Sequence, residues 1–154
     1  MEKTLVLLKP DCMQRAVAGE VISRFEKKGL KIVGMKMMRL GDAVVREHYA
    51  HLADKPFFPK LAEYVKSAPI IAMAIEGIDA VEVVRQMCGV TNSRKALPGT
   101  IRGDLSMSFS TNIVHASDSK ETAEKEVKRF FAKNELFEWQ RTLEASYYSE
   151  EENK

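Results

Sequence analysis

Three observations predict an α+β fold on a split βαβ plan for this chain of 154 residues. Four apolar, β-favouring runs are separated by stretches with helical spacing. The first and third of these runs are each followed by an amphipathic helical pattern that stops at a glycine. Finally, 45% hydrophobic and 30% charged residues is the balance of one folded unit able to bury a core. A single domain over 1–154 is expected.

The first strand is residues 4–8, ended by Lys9-Pro10-Asp11, because proline fixes φ and has no amide hydrogen to donate. Lys9 is thereby placed at a strand end. Ala18, Val21, Ile22 and Phe25 then recur at helical spacing, with Lys27 and Lys28 in the last turn and Gly29 as the stop. Residues 30–40, partly alternating and rich in methionine, suit a second strand with one packed and one wetter face, closed by Gly41-Asp42. From 42 to 67 the helical signals are weaker and are interrupted by Pro56-Phe57-Phe58-Pro59, so short helices and a rigid turn are expected. Residues 69–75 suit a buried strand. Asp79 then caps a helix whose Ala80, Val83, Val84 and Met87 share a face before Gly89. Residues 89–102 form the longest irregular region, too long for a simple connector. Residues 107–115 include alternation and end as a strand, after which Ser117 or Ser119 caps a last helix. Its buried stripe is Ala123, Val127, Phe130 and Phe131, and Glu121 and Glu124 favour its first turns. This order is that of a ferredoxin-like split βαβ sandwich: a four-stranded antiparallel sheet with added helices and a long loop. The tail from Glu135, with Trp139, Tyr147 and Tyr148, is expected to pack on the domain and to fray from about residue 145.

Lysine and arginine number 24 against 22 acids, a formal charge of +2, too balanced to suggest a duplex-binding protein. Any anion-binding role must be local. Cys12 and Cys88 have no metal or redox spacing, so free thiols in a reducing compartment are expected, which favours the cytoplasm. The apolar run at residues 5–8 is too short for a signal sequence or a membrane span.

Neither GxxxxGK[ST] nor GxGxxG occurs, so phosphates would have to be held by side chains. Lys9 at a strand end, Arg85 near a helix end and Arg102 in the long loop are three separated cations beside glycine or proline turns. A solvated surface charge is the commoner fate of each. His115 is more pointed. It stands where a strand gives way to a helix, whose amide end favours an anion. A neutral imidazole can attack phosphorus or accept a proton if a partner fixes its tautomer, and Glu126, at the margin of the apolar stripe, can be that partner. The bland alternative is a glutamate near water at a helix edge. Phe57 between prolines is equally a core plug, Asn112 a turn residue, Thr91 a loop cap and Ser117 a helix cap. From the residues alone, the chain reads as an α/β domain with an anion site at His115 and phosphoryl transfer as its candidate chemistry.

Four motifs together carry it further: LLKPD at 7–11, HYAHLADKPFFPKL at 48–61, PGTIRGD at 98–104 and NIVHASDS at 112–119. In this order the chain resembles the nucleoside diphosphate kinase family from about Lys3 to Phe131. The resemblance implies that His115 takes the terminal phosphoryl group of a nucleoside triphosphate and passes it to a nucleoside diphosphate, with ping-pong kinetics and broad base specificity. It further implies that Glu126 orients the imidazole, directly or with Ser117, and that Tyr49 lies beside the histidine. Phe57 matches the aromatic that stacks on the base. Arg85, Thr91 and Arg102 match the phosphate grip, and Lys9 and Asn112 the sugar contacts. Mg2+ is expected to arrive on the nucleotide, with Asp118 at most touching its water shell. Nucleoside triphosphates and diphosphates are the expected partners, together with self-association, a homohexamer first and a tetramer second. No membrane and no specific nucleic acid is expected.

The departures from the family pattern fall beside the chemistry. Cys12, Ala16 and Ala116 stand where glycine is common, Ser110-Thr111 replaces a frequent Gly-Arg, and residues 93–97 differ in the loop that the family uses for subunit contacts. A nucleotide-binding regulatory module without turnover is the alternative function.

Overall fold

The computed structural model describes residues 1–152. Residues 153 and 154, the end of the tail expected to fray, lie outside that range. Strands β1 (Glu2–Leu8), β2 (Lys31–Met38), β3 (Ile70–Gly77) and β4 (Val114–Ala116) form one sheet in the order β2-β3-β1-β4, every pair antiparallel. Each half of the plan supplies one outer strand, so β1 and β3 lie at the centre and most of their side chains are buried.

Alternation along β1 divides the interior in two, because successive strand residues point to opposite faces. Val6 and Leu8 face helices α2 (Ala18–Lys28) and α5 (Ala80–Cys88), packing with Val21, Phe25 and Val84. Leu5 and Leu7 face α3 (Asp42–His48), α4 (Phe58–Lys66) and α7 (Lys120–Phe130), packing with Val45, Val65, Val127 and Phe130. Each fully buried Leu or Phe contributes about 1.5–3 kcal/mol by leaving water, so both faces are heavily committed to this register. Two short helices, α1 (Pro10–Gln14) and α6 (Ile101–Leu105), complete the set. Proline suits the start of α1 because the first turn needs no amide donor there.

Several expectations are corrected. Arg102 is not in a loop: Thr100 accepts a hydrogen bond from Gly103 N and starts α6, which carries Arg102. Asp79 occupies the N-cap position of α5 with φ +49° and makes no capping bond; Glu2 Oε1 instead accepts from Val81 N at 2.9 Å. A carboxylate from β1 thus takes the role that sequence proximity assigns to Asp79. The alternation in 107–113 is not a strand either. Ser106 and Ser108 hydroxyls bond to backbone groups of residues 108–111, local turns that compete with a sheet ladder. In the tail, Phe137 N donates to Val33 O and Tyr148 Oη accepts from Ile78 N. Tyr147 packs over Gly29, whose φ of +97° and lack of a Cβ make room for the ring.

Candidate active site

The sheet register decides where the histidine points. His115 pairs with Leu7 across β4 and β1, so it projects to the Leu7 face, toward α3 and α7. Its neighbours Val114 and Ala116 go to the other face and join the α2–α5 core. On α7, whose N-cap Ser119 accepts from Thr122 N, the stripe of Ala123, Val127 and Phe130 turns Glu126 inward to 5% exposure. His115 Nε2 lies 3.1 and 3.0 Å from the two Glu126 oxygens. Ser117 Oγ donates to Glu126 Oε2 at 2.6 Å and accepts from Leu5 N at 3.3 Å, which anchors this series of side chains to β1.

Burial alone would raise the Glu126 pKa, but the hydrogen bond and charge of His115, then Ser117, outweigh it and hold the carboxyl below its ordinary value. Glu126 is therefore an acceptor, and the Nε2 facing it carries the ring proton. Nδ1 is the nitrogen left with a lone pair.

That histidine opens on a cavity of ≈ 910 Å³ whose lining includes Tyr49, Lys9, Arg85, Thr91, Arg102, Asn112, Asp118 and Glu126. Residues from α5, α6 and α7 and from the ends of β1, α3 and β4 thus converge. Arg102 donates Nε to Asn112 O, Nη1 to Gly89 O and Nη2 to Val114 O. It is 9% exposed, and burial lowers its pKa from the ordinary value, with nearby Arg85 adding to the shift and Cys88 opposing it. Lys9 Nζ donates to Asn112 Oδ1 at 2.7 Å. Burial and Arg102 lower the lysine pKa to about 8, with Asp11 opposing. Asn112 also donates to Thr91 O and Phe109 O, both at 2.9 Å, so its amide is a structural hub as well as a wall of the cavity. Between Asn112 and His115 stands Ile113 with φ +73°, a conformation rare for a β-branched residue. Its N–H goes to Asp11 Oδ2 and its carbonyl accepts from Lys9 N, so the residues around Lys9 hold the turn that leads into His115.

Two of the candidate residues do not line the cavity. Ser117 acts behind Glu126. Phe57 precedes α4 and is 51% exposed, in the segment next to the lining residues Ala50 to Leu52. Conversely, His48, Glu47, Thr122, Lys125 and Arg129 line it, and the sequence assigns none of them a role. His48 had a signal: with Val45 and Tyr49 it falls at helical spacing on the buried side of α3. His48, His115 and Glu126 bring three ligating atoms within 4.8 Å of one another, a set suited by its imidazoles to a transition metal rather than to magnesium.

Comparison with known proteins gives a uniform result. The family model described as nucleoside diphosphate kinase matches residues 2–136. The nucleoside diphosphate kinase of Parabacteroides distasonis is 54% identical over 99% of this chain and 99% of its own. That of Pyrococcus abyssi is 50% identical over 95% and 94%. Among solved structures, a halophilic nucleoside diphosphate kinase from Halobacterium salinarum in complex with CDP superimposes with a TM-score of 0.94 at 43% identity, covering 96% of this chain and 99% of that one.

Proposed function

The chain belongs to the nucleoside diphosphate kinase family, and on that premise we propose that it moves phosphoryl groups between nucleotides through a phosphohistidine on His115. It is an enzyme of the phosphotransferase class, with nucleoside triphosphates as donors and diphosphates as acceptors. The observation that carries the assignment of the nucleophile is the engagement of His115 Nε2 by Glu126 in a cavity lined by Lys9, Arg85 and Arg102.

The Nδ1 lone pair attacks the γ-phosphorus in line, forming the N–P bond as the bond to the bridging oxygen breaks and the diphosphate leaves. The positive charge that develops on the ring is shared through Nε2–H with the Glu126 carboxylate, which Ser117 keeps in place. Lys9, Arg85 and Arg102 stabilise the phosphate oxygens, and Thr91 adds a hydroxyl. Reversal with a second diphosphate uses the same pocket, so kinetics are ping-pong. Sugar hydroxyls meet Lys9 and the remaining lone pair of Asn112 Oδ1. Phe57 stacks on the base at the outer end, and a ring face accepts any base. Tyr49 is 8% exposed and meets His48 edge-on at 4.7 Å, so it supports the histidine end of the wall.

Magnesium fits as a passenger on the nucleotide. Among the described residues, Asp118 is the cavity carboxylate that makes no ion pair, whereas Glu126 is engaged by His115 and Glu47 by Arg129. A single free carboxylate suits an ion that keeps its waters and its phosphate ligands. When bound, it neutralises β- and γ-phosphate charge.

Exposed Leu97, Met107 and Phe109, in and after the long loop, support self-association, with a homohexamer proposed ahead of a tetramer. The cytoplasm is the proposed location. Among the described residues, no helix is long and apolar enough to cross a membrane.

The test is incubation with radiolabelled ATP. Acid-labile, base-stable phosphate is expected on the wild type and not on His115→Ala, followed by transfer to an added diphosphate. Equal labelling of the variant rejects His115, and labelling without transfer favours a regulatory module.

A further inference from the structure

Glu126 and Arg129 stand three residues apart on α7, a spacing at which a carboxylate and a guanidinium can pair along one helix face. Among the described residues they do not pair. Glu126 gives its oxygens to His115 and Ser117. Arg129 sends Nε to Glu47 Oε1 at 2.7 Å and Nη1 to His48 Nδ1 at 3.4 Å. His48 Nδ1 is also 3.5 Å from Glu126 Oε1, so this imidazole stands between the two charges.

A guanidinium only donates, so in the tautomer that bonds to Arg129 the lone pair of His48 is on Nδ1 and its proton on Nε2. Yet Nε2 has no hydrogen-bond partner among the described residues, and the side chain is 1% exposed. A buried N–H without a partner is unfavourable, and an apolar side chain on this face of α3 would avoid it. The ring is also held firmly, edge-on to His115 at 4.5 Å, Tyr49 at 4.7 Å and Phe130 at 5.1 Å between centroids. An imidazole kept there at such a disadvantage has a role that packing does not supply.

We propose that His48 is a positioning residue which, with Glu47 beside it, withholds Arg129 from Glu126 and so reserves that carboxylate for His115. This rests on His115 being the nucleophile. Were Arg129 to take Glu126, a charge-assisted and potentially bidentate pair would displace the Nε2–H of His115. The ring would lose its orientation and its tautomer, and Nδ1 would no longer be fixed as the bare nitrogen. Residues 47 and 48 act from two sides. The exposed Glu47 carboxylate draws Arg129 outward, and the buried His48 accepts its second N–H.

A double-mutant cycle on phosphohistidine formation, followed by rapid quench with radiolabelled ATP, tests this, with ADP affinity measured alongside. His48→Leu is expected to slow phosphorylation at least about tenfold when Arg129 is present and no more than about twofold in an Arg129→Leu background. ADP affinity should change equally little on that substitution in both backgrounds. His48→Asn, which keeps an acceptor, should stay within about threefold of the wild type. Equal slowing in both backgrounds, or a His48→Leu rate equal to wild type, overturns the proposal. If His48→Leu does not fold, the surface variant Glu47→Gln takes its place: it should slow the step several-fold only when Arg129 is present, and the absence of that dependence overturns the proposal. Unchanged labelling of His115→Ala would instead reject the nucleophile itself, which separates the two failures.

Discussion

At the imidazole end of the cavity the charges close on neighbours: Glu126 on His115 and Ser117, Arg129 on Glu47 and His48. At the other end the cations close on neutral groups, Arg102 on three backbone carbonyls and Lys9 on an amide oxygen. The contrast separates two physical requirements. A nucleophile needs one tautomer and one orientation, and a hydrogen bond from the neutral imidazole to a carboxylate supplies both. A phosphate grip needs uncompensated positive charge at a fixed point, and carbonyls hold a guanidinium without cancelling it. Breaking either end should therefore fail in a different observable.

The largest effect is expected at the closed end. On the proposed mechanism Glu126→Gln removes the charge that shares the developing imidazolium, and it lets an amide N–H face Nε2, so both tautomers of His115 become available. The rate of transfer should fall about 10²–10³-fold with ADP affinity nearly unchanged, as seen by single-turnover kinetics and calorimetry. An equal loss of affinity would mean that Glu126 also binds nucleotide and that the division is false.

Arg102→Leu should break the open end instead. Three carbonyls around a 9% exposed side chain lose their donor, and on the proposed reading the phosphates lose a cation. Urea unfolding should show a loss of roughly 3 kcal/mol, and ADP affinity should fall about tenfold to a hundredfold. Arg102→Lys should recover part of the affinity but not the stability, because an ammonium cannot span the three carbonyls.

Legibility in the sequence follows the same divide. The order of elements along the chain, the apolar stripes of α2, α5 and α7 and the strand-end position of Lys9 are accessible because alternation and helical spacing are local patterns, whereas the division of the interior into two cores needs the sheet register. Glu126 is ambiguous on its own: its place at the stripe margin fits an inward or a solvated carboxylate, and only the register that puts His115 on the Leu7 face decides between them. Arg102 reads as a loop residue because α6 is a short helix started by a Thr100 cap, too brief for a periodic signal. Asp79 fails as a cap because its competitor, Glu2, is remote in sequence and adjacent only in the sheet. His48 escapes a functional reading for a related reason. Its role is defined by Arg129, which is 81 residues away in the chain, and no spacing rule connects them.

Phe57→Ala should affect neither end's internal wiring. The residue is 51% exposed, so thermal stability should hardly change, whereas stacking on a base should be lost and KM rise about tenfold for every nucleotide alike. A rise confined to purines would show that the ring reads the base rather than merely supporting it.

The smallest effect is the most specific to the open end, because it sets stability and binding against each other. Lys9 has its folded pKa lowered to about 8 from 10.5, chiefly by burial and secondarily by Arg102. Between those values the unfolded chain binds more protons than the folded one, so the contribution of Lys9 to stability rises with pH across that window. Below about pH 8 the folded protein carries the full penalty of a buried ammonium. If nucleotide binding draws on that ammonium, as proposed, ADP affinity should fall over the range in which Lys9 stability improves. Bound phosphate raises the lysine pKa again, so ADP binding near pH 8.5 should be accompanied by proton uptake, measurable by calorimetry in two buffers of different ionisation enthalpy. Lys9→Met should abolish the uptake and flatten this part of both profiles. Uptake that persists in Lys9→Met would assign the titrating group to some other residue, and the open end would then owe its charge chiefly to Arg102 and Arg85.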